Sequence, residues 1–208
     1  MEPPGASGRF ADIEPFFCEI GKGSTSCFPR RDGVKWFCSV FPGGSDLFFK
    51  AIYPSPLGEI LLVCDEDALV SLSLPGQKGF AQTAKYGEHP ILTRTMAWLD
   101  DYFAGNAPSP AALPLRPEGT AFRRLIWELL LEIPYGKTAA YGALAKQAAE
   151  ILGRPHMSAQ AVGQAVGANP IAIVIPCHRV VGADGSLTGY AGGIHYKKAL
   201  LQLEAPEP

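Results

Sequence analysis

Four prolines within Ala107–Gly119 (Pro108, Pro110, Pro114 and Pro117) divide this 208-residue chain into two parts with different hydrophobic periods. Proline fixes φ and donates no backbone hydrogen bond, so neither a helix interior nor a central strand can run through such a stretch. Before it, the short apolar runs Phe48–Tyr53, Glu59–Cys64 and Leu69–Leu74 are separated by Pro-Ser-Pro-Leu-Gly and Asp-Glu-Asp, a pattern that predicts a small β-meander. A helix is predicted over about Leu92–Phe103, with Leu92, Met96, Leu99 and Phe103 on one face and Gly105 as its stop. After the prolines, Thr120 can cap a helix in which Phe122, Leu125, Ile126, Leu129, Leu130 and Ile133 recur at helical spacing until Pro134. A second helix is predicted over Tyr141–Leu152, stopped by Gly153 and Pro155, and a third from a Ser158 cap to about Val166. Two short helices joined by a tight turn form a helix-turn-helix candidate.

This layout predicts a mixed α/β (α+β) chain in four parts. Residues 1–46, rich in Gly, Pro, Ser and Phe without a sustained period, form an N-terminal extension whose order is left open. Residues 47–106 form a domain of strands and one helix, 107–119 a linker, and 120–208 a helical domain.

Composition excludes several classes. No apolar run approaches the roughly 20 residues needed to cross a bilayer, and the start Met-Glu-Pro-Pro-Gly lacks the basic and apolar regions of an export signal, so the expected location is the cytoplasm. Five cysteines, an odd number, do not read as a disulfide framework, and without CxxC or HxxxH spacing no metal site is predicted. A net charge of −2 carries no overall signature of nucleic-acid binding. Glu118–Glu204 nevertheless holds eight basic against six acidic residues, enough for a few phosphate contacts.

The chemistry concentrates in Ile175-Pro176-Cys177-His178-Arg179-Val180, where a thiol, an imidazole and a guanidinium follow the apolar run Ile171–Ile175. A thiol reacts as its thiolate, and a neighbouring imidazole or cation lowers its pKa from about 8.5 toward neutrality. The pattern suits a cysteine nucleophile at a strand end; a buried structural cysteine is the alternative. Neighbours on an extended segment point to opposite faces, so Cys177 and His178 are not expected to touch, and a bridging water is expected between them. Upstream, Ala159, Ala161, Gly163, Ala165 and Gly167 leave the third helix nearly bare, which permits close approach to another helix or to a DNA groove.

Taken in order, the bare helix, Asn169-Pro170, the cysteine hexapeptide, the glycine-rich run Val181–Gly193 and the helical pattern ending at Leu203-Glu204 resemble the O6-alkylguanine-DNA alkyltransferases. The resemblance covers roughly Phe48–Glu204 in layout and is most specific over Tyr135–Glu204. It implies a small ribonuclease-H-like N-terminal domain followed by an all-α, winged-helix-like catalytic domain with the helix-turn-helix. It also implies irreversible, single-turnover transfer of a methyl or larger alkyl group to Cys177 from O6-alkylguanine in double-stranded DNA, with O4-alkylthymine a further candidate substrate. No cofactor is implied, and a monomer suffices.

The resemblance assigns catalysis to Cys177, His178, Glu204, Tyr141 and Asn169. Glu204 would fix the His178 tautomer, the Tyr141 hydroxyl would donate to the departing guanine, and Asn169 would brace the turn into the cysteine strand. DNA and base contacts would come from Ser158, Ala159, Gln160, Ala161, Gly163, Arg179, Val180, Tyr190, Ala191 and Lys197. The resemblance implies that the bare helix would enter the minor groove and that the carbonyls of Cys177 and Val180 and the amide of Ala191 would meet the base. Reaction on a duplex base requires its extrusion. Many relatives fill the gap with an arginine where this chain has Gln160, which lacks arginine's charge and rigid fork, leaving Arg154 or Arg179 to compensate. The connector Glu150–Met157 is longer than in relatives with that arginine. The competing readings are a Cys-His hydrolase, a lesion-binding protein without chemistry and, last, a helix-turn-helix regulator.

Overall fold

A computed structural model describes residues 47–77 and 84–205; the N-terminal extension, with Cys18, Cys27 and Cys38, lies outside the described residues. Three antiparallel strands, β1 (Phe49–Ser55), β2 (Gly58–Cys64) and β3 (Leu69–Ser73), form the expected meander. A short β4 (Lys85–Tyr86) adds parallel to β1, giving the order β3-β2-β1-β4. The β1–β2 turn closes through Ser55, whose hydroxyl donates to the Gly58 carbonyl and accepts from the Leu57 amide.

Helix α1 (Pro90–Phe103) starts with proline at its first position, where no amide is needed, and with the His89 imidazole accepting from the Ile91 amide. Its buried stripe is Ile91, Leu92, Thr95, Trp98, Leu99 and Tyr102. The stripe is therefore turned from the expected one: Met96 and Phe103 are only half-buried, while Trp98 and Tyr102 go inward.

Strand β3 is buried throughout because its outer edge is paired twice by later segments. The Leu69 amide donates to the Pro114 carbonyl and the Arg116 amide to the Leu69 carbonyl. Farther along, the Leu72 amide donates to the Pro170 carbonyl and the Ala172 amide to the Leu72 carbonyl. The proline-rich segment thus lies on the sheet, with Leu113, Leu115 and Pro117 buried.

The helical part follows the predicted order. Helix α2 (Ala121–Leu131) is capped by the Thr120 hydroxyl, which accepts from the Arg123 amide. Its Trp127 is fully buried and donates to the Ala165 carbonyl at 2.8 Å; a side chain on Gly119 would collide with that indole. Helices α3 (Tyr141–Ile151) and α4 (Ala159–Gly167) form the helix-turn-helix, with the Ser158 hydroxyl capping α4. Strands β5 (Ala139–Ala140) and β6 (Val180–Val181) pair in parallel, and α5 (Ile194–Leu203) is the last described element. One continuous apolar core joins the two parts, running from Ile60 and Leu99 through Leu115 to Ile126, Val162 and Ile175. No helix among the described residues is long and apolar enough to cross a membrane.

Candidate active site

The segment leading to Cys177 is buried without break from Ile171 to Val180, but it is not the expected strand. Two tight turns replace it. The Val174 amide donates to the Ala172 carbonyl around Ile173, whose φ is +66°, and the Cys177 amide donates to the Ile175 carbonyl around Pro176, at φ −81° and ψ 62°. Positive φ is a strained state for a β-branched residue and persists only where packing over-determines it. Here the peptide is held by β3 on one side and Asn169 on the other. The Asn169 amide donates to the Ile175 carbonyl at 2.8 Å and to the Cys177 sulfur at 3.1 Å, while its carbonyl accepts from the Ile171 amide. Cys177, His178 and Arg179 then form one 3-10 turn, which sends their side chains in different directions.

Glu204, just past α5, is the hub of the buried polar network. Its Oε1 accepts from Tyr102 at 2.7 Å, His178 Nε2 at 2.8 Å and Arg179 at 2.9 Å; its Oε2 accepts from Arg179 Nε at 2.8 Å and the Gly136 amide at 3.3 Å. Burial works against the charge, but the hydrogen bonds and charges of His178 and Arg179 outweigh it and hold the carboxyl down to about 2. An ionised carboxylate only accepts, so His178 carries its proton on Nε2 and leaves Nδ1 as the free acceptor. That Nδ1 is buried with no partner in the protein. Complete burial lowers the imidazole's pKa against the pull of Glu204, so the ring is neutral at pH 7.

The thiol is buried, which raises its pKa; Asn169, Tyr190 and the Lys197 charge work in the opposite direction. The Tyr190 hydroxyl sits beside the sulfur, buried and without a well-aligned partner. Lys197 has no solvent exposure, and its ammonium donates to the carbonyls of Val180 at 2.5 Å and Thr188 at 3.0 Å.

The structure gathers Asn169 and Tyr190 around the Cys177 sulfur, ties His178, Arg179 and Glu204 into a buried hydrogen-bonded cluster, and holds Lys197 on the Val180 and Thr188 carbonyls. Two of these depart from expectation. Arg179 is spent on Glu204 and on the Ile133 carbonyl, so it is not available to compensate for Gln160, and Lys197 ties two carbonyls together from inside instead of meeting DNA. Val180 is buried, its carbonyl engaged by Lys197, and the Cys177 carbonyl accepts from the Val180 amide. Tyr141 is half-buried and donates to the Thr188 and Gly189 carbonyls. Ser158, Ala159 and Gln160 are exposed at the start of α4, Ala161 and Gly163 are half-buried, and Gly163 lies beside the Tyr141 ring, so part of the bareness serves helix contact. Ala191 and Arg154 are exposed.

Sequence reasoning missed Tyr102 and Gly136. Tyr102 stands four residues after Trp98 and three after Leu99, a spacing that places it on the inner face, but nothing local names its distant partner. Gly136 has φ +69°, and an added side chain would meet the Glu204 carbonyl at 2.7 Å.

Two family models match the chain: "6-O-methylguanine DNA methyltransferase, ribonuclease-like domain" over residues 48–117 and "6-O-methylguanine DNA methyltransferase, DNA binding domain" over 121–206. The chain belongs to the 6-O-methylguanine DNA methyltransferase family. Its relatives in the family include methylated-DNA–protein-cysteine methyltransferases from Haemophilus influenzae and Methanosarcina acetivorans. The first is 40% identical over 75% of this chain and 86% of the relative, the second 44% identical over 75% and 97%. The crystal structure of the Mycobacterium tuberculosis O6-methylguanine methyltransferase matches at 38% identity and TM-score 0.64, over 77% of this chain and 96% of that one. OGT of the same organism, solved in complex with DNA, matches at 38% identity and TM-score 0.64, over 77% and 95%. The fold of this methyltransferase is the expected one, a small sheet domain followed by a helical one. Its activity is alkyl transfer from DNA to cysteine, and these relatives support neither the hydrolase nor the lesion-binding reading.

Proposed function

We propose that Cys177 takes the alkyl group from O6-alkylguanine in double-stranded DNA, once per molecule, with His178 as its base and Glu204 as the group that orients the base. The carrying observation is the division of labour on one imidazole: Nε2 is committed to Glu204 while the buried Nδ1 has no partner. The thiol proton passes to Nδ1 through a bridging water, the thiolate attacks the alkyl carbon, a carbon–sulfur bond forms, and the carbon–oxygen bond breaks with its electrons moving to the guanine O6. Tyr141 donates a hydrogen bond to the departing base as charge develops on it, for which its hydroxyl must leave the Thr188 and Gly189 carbonyls, and the departing guanine takes its proton from solvent. Asn169, Tyr190 and the Lys197 charge favour the thiolate in a pocket where burial opposes it. The thioether product has no easy leaving group, so the protein is spent.

The exposed start of α4, Ser158–Gln160, and the rim residue Ala191 form the DNA-facing surface in this reading, with Gln160 filling the gap left by the extruded base. A division at the proline-rich segment is supported by the two family models, which end at 117 and begin at 121. A monomer suffices for one cysteine and one base; O4-alkylthymine as a second substrate and residence in the cytoplasm belong to the same reading.

The test is to mix the protein with duplex DNA carrying a single O6-methylguanine and map its peptides by mass. The expected result is a gain of one methylene on the Cys177 peptide, absent in Cys177→Ala. Tight lesion binding with unmodified Cys177 would overturn transfer in favour of a sensor.

A further inference from the structure

We propose that Tyr102, on the N-terminal helix α1, is a positioning residue of the transfer reaction: its hydroxyl fixes the Glu204 carboxylate that orients His178. The inference rests on the roles given above to Cys177, His178 and Glu204. Tyr102 donates to Glu204 Oε1 at 2.7 Å, the same oxygen that takes His178 Nε2, and its hydroxyl stands 3.5 Å from that nitrogen. The ring cannot swing away. It is 1% exposed, stacked on Trp98 at 5.5 Å, and set edge-on to Phe103 and Tyr135. A buried phenol on a rigid ring is a preorganised donor, holding the carboxylate in one rotamer without reorganisation during the reaction.

The N-terminal part therefore reaches the reacting residues from two directions. Strand β3 pairs with the peptides of Pro170 and Ala172 ahead of the cysteine, and α1 supplies a donor to the carboxylate behind the histidine. The other groups facing this pair are Arg179 from the 3-10 turn, Tyr135 after α2, Lys197 from α5, and Cys177 with Tyr190 toward the thiol. All of these remain when the Tyr102 hydroxyl is removed. Glu204 then becomes a stronger base toward His178, the imidazolium is favoured, and the ring takes the thiol proton only at higher pH.

The experiment compares wild type, Tyr102→Phe and Tyr53→Phe in single-turnover methyl transfer from duplex DNA with one O6-methylguanine, over pH about 5 to 9. Tyr102→Phe is expected to react about tenfold more slowly at neutral pH, the scale of one hydrogen bond to a charged group, with its acid limb displaced upward. Tyr53→Phe loses a 2.7 Å bond to Asp100 elsewhere on α1, and its profile is expected to match wild type. An unchanged rate and limb in Tyr102→Phe would overturn the proposal, even with a lowered melting temperature. Should that variant not fold, 3-fluorotyrosine at 102, a stronger donor, is expected to move the acid limb downward, and no movement would equally overturn it. Wild type unable to transfer would instead refute the reading of Cys177.

Discussion

The side-chain amide of Asn169 donates to the sulfur of Cys177 at 3.1 Å, so the residue just past the C-cap of α4 also touches the proposed nucleophile. Its carbonyl is pinned by the Ile171 amide, which prevents the group from turning. In Asn169→Ala the thiolate loses a donor and the Ile175 carbonyl loses its partner. Alkylation of Cys177 by iodoacetamide at neutral pH is expected to slow about tenfold, with a loss of about 1–3 kcal/mol in urea unfolding. An unchanged alkylation rate would remove Asn169 from thiol activation.

Lys197 has the same sign of effect on the thiol but acts through space. Its ammonium is engaged by two carbonyls, and its charge opposes the rise that burial imposes on Cys177. Lys197→Met is expected to move the pH midpoint of Cys177 alkylation upward, with the rate recovered in alkaline buffer. A lost rate that base does not restore would mean that the lysine supports structure alone.

Breaking the Arg179–Glu204 pair should be costly because both members are buried. Arg179→Met leaves a carboxylate with neutral donors only, and a loss of about 3–5 kcal/mol is expected in denaturant unfolding. A loss under about 1 kcal/mol would show that the remaining donors satisfy the charge.

Acid should weaken the fold first and the reaction at lower pH. The folded-state pKa of His178 is depressed below 6.5, so its contribution is full above that value and is lost as pH falls through the lower, folded one. For Glu204, depressed from 4.5 to about 2, stability is present above 4.5 and lost as pH falls toward 2. The melting temperature should therefore begin to fall below pH 6.5, whereas single-turnover rates should hold there and decline only as pH falls through the lower, folded pKa of His178. Stopped-flow rates and melting temperatures across this range check the order; a rate that already falls near pH 6.5 while the melting temperature is unchanged would contradict it.

On the surface proposed to meet DNA, Gln160 is exposed on the first turn of α4. Gln160→Arg adds one mobile cation without disturbing the core, so melting temperature should hold. The salt dependence of duplex binding should steepen by about 0.9 in log–log slope or less. Fluorescence anisotropy at several salt concentrations tests this, and an unchanged slope would place residue 160 off the DNA.

Much was legible in order along the chain. The strands β1–β3, the caps at Thr120 and Ser158 and the two helices of the helix-turn-helix follow from short-range patterns, where period, cap and turn chemistry act directly. Other features were not local. The expected cysteine strand became two tight turns because β3 and Asn169 hold its peptides, and Arg179 and Lys197 turned inward because Glu204 and the Val180 and Thr188 carbonyls required donors.

The sequence by itself determined which chemistry is carried, since a thiol beside an imidazole after a buried run, with a glutamate one helix later, suits few reactions. Only the tertiary structure decided how that chemistry is held. The Glu204 carboxylate draws donors from Tyr102, Gly136, His178 and Arg179, positions up to 102 residues apart. A buried charge must be satisfied by whatever donors the packing brings to it, and local sequence does not encode which ones arrive.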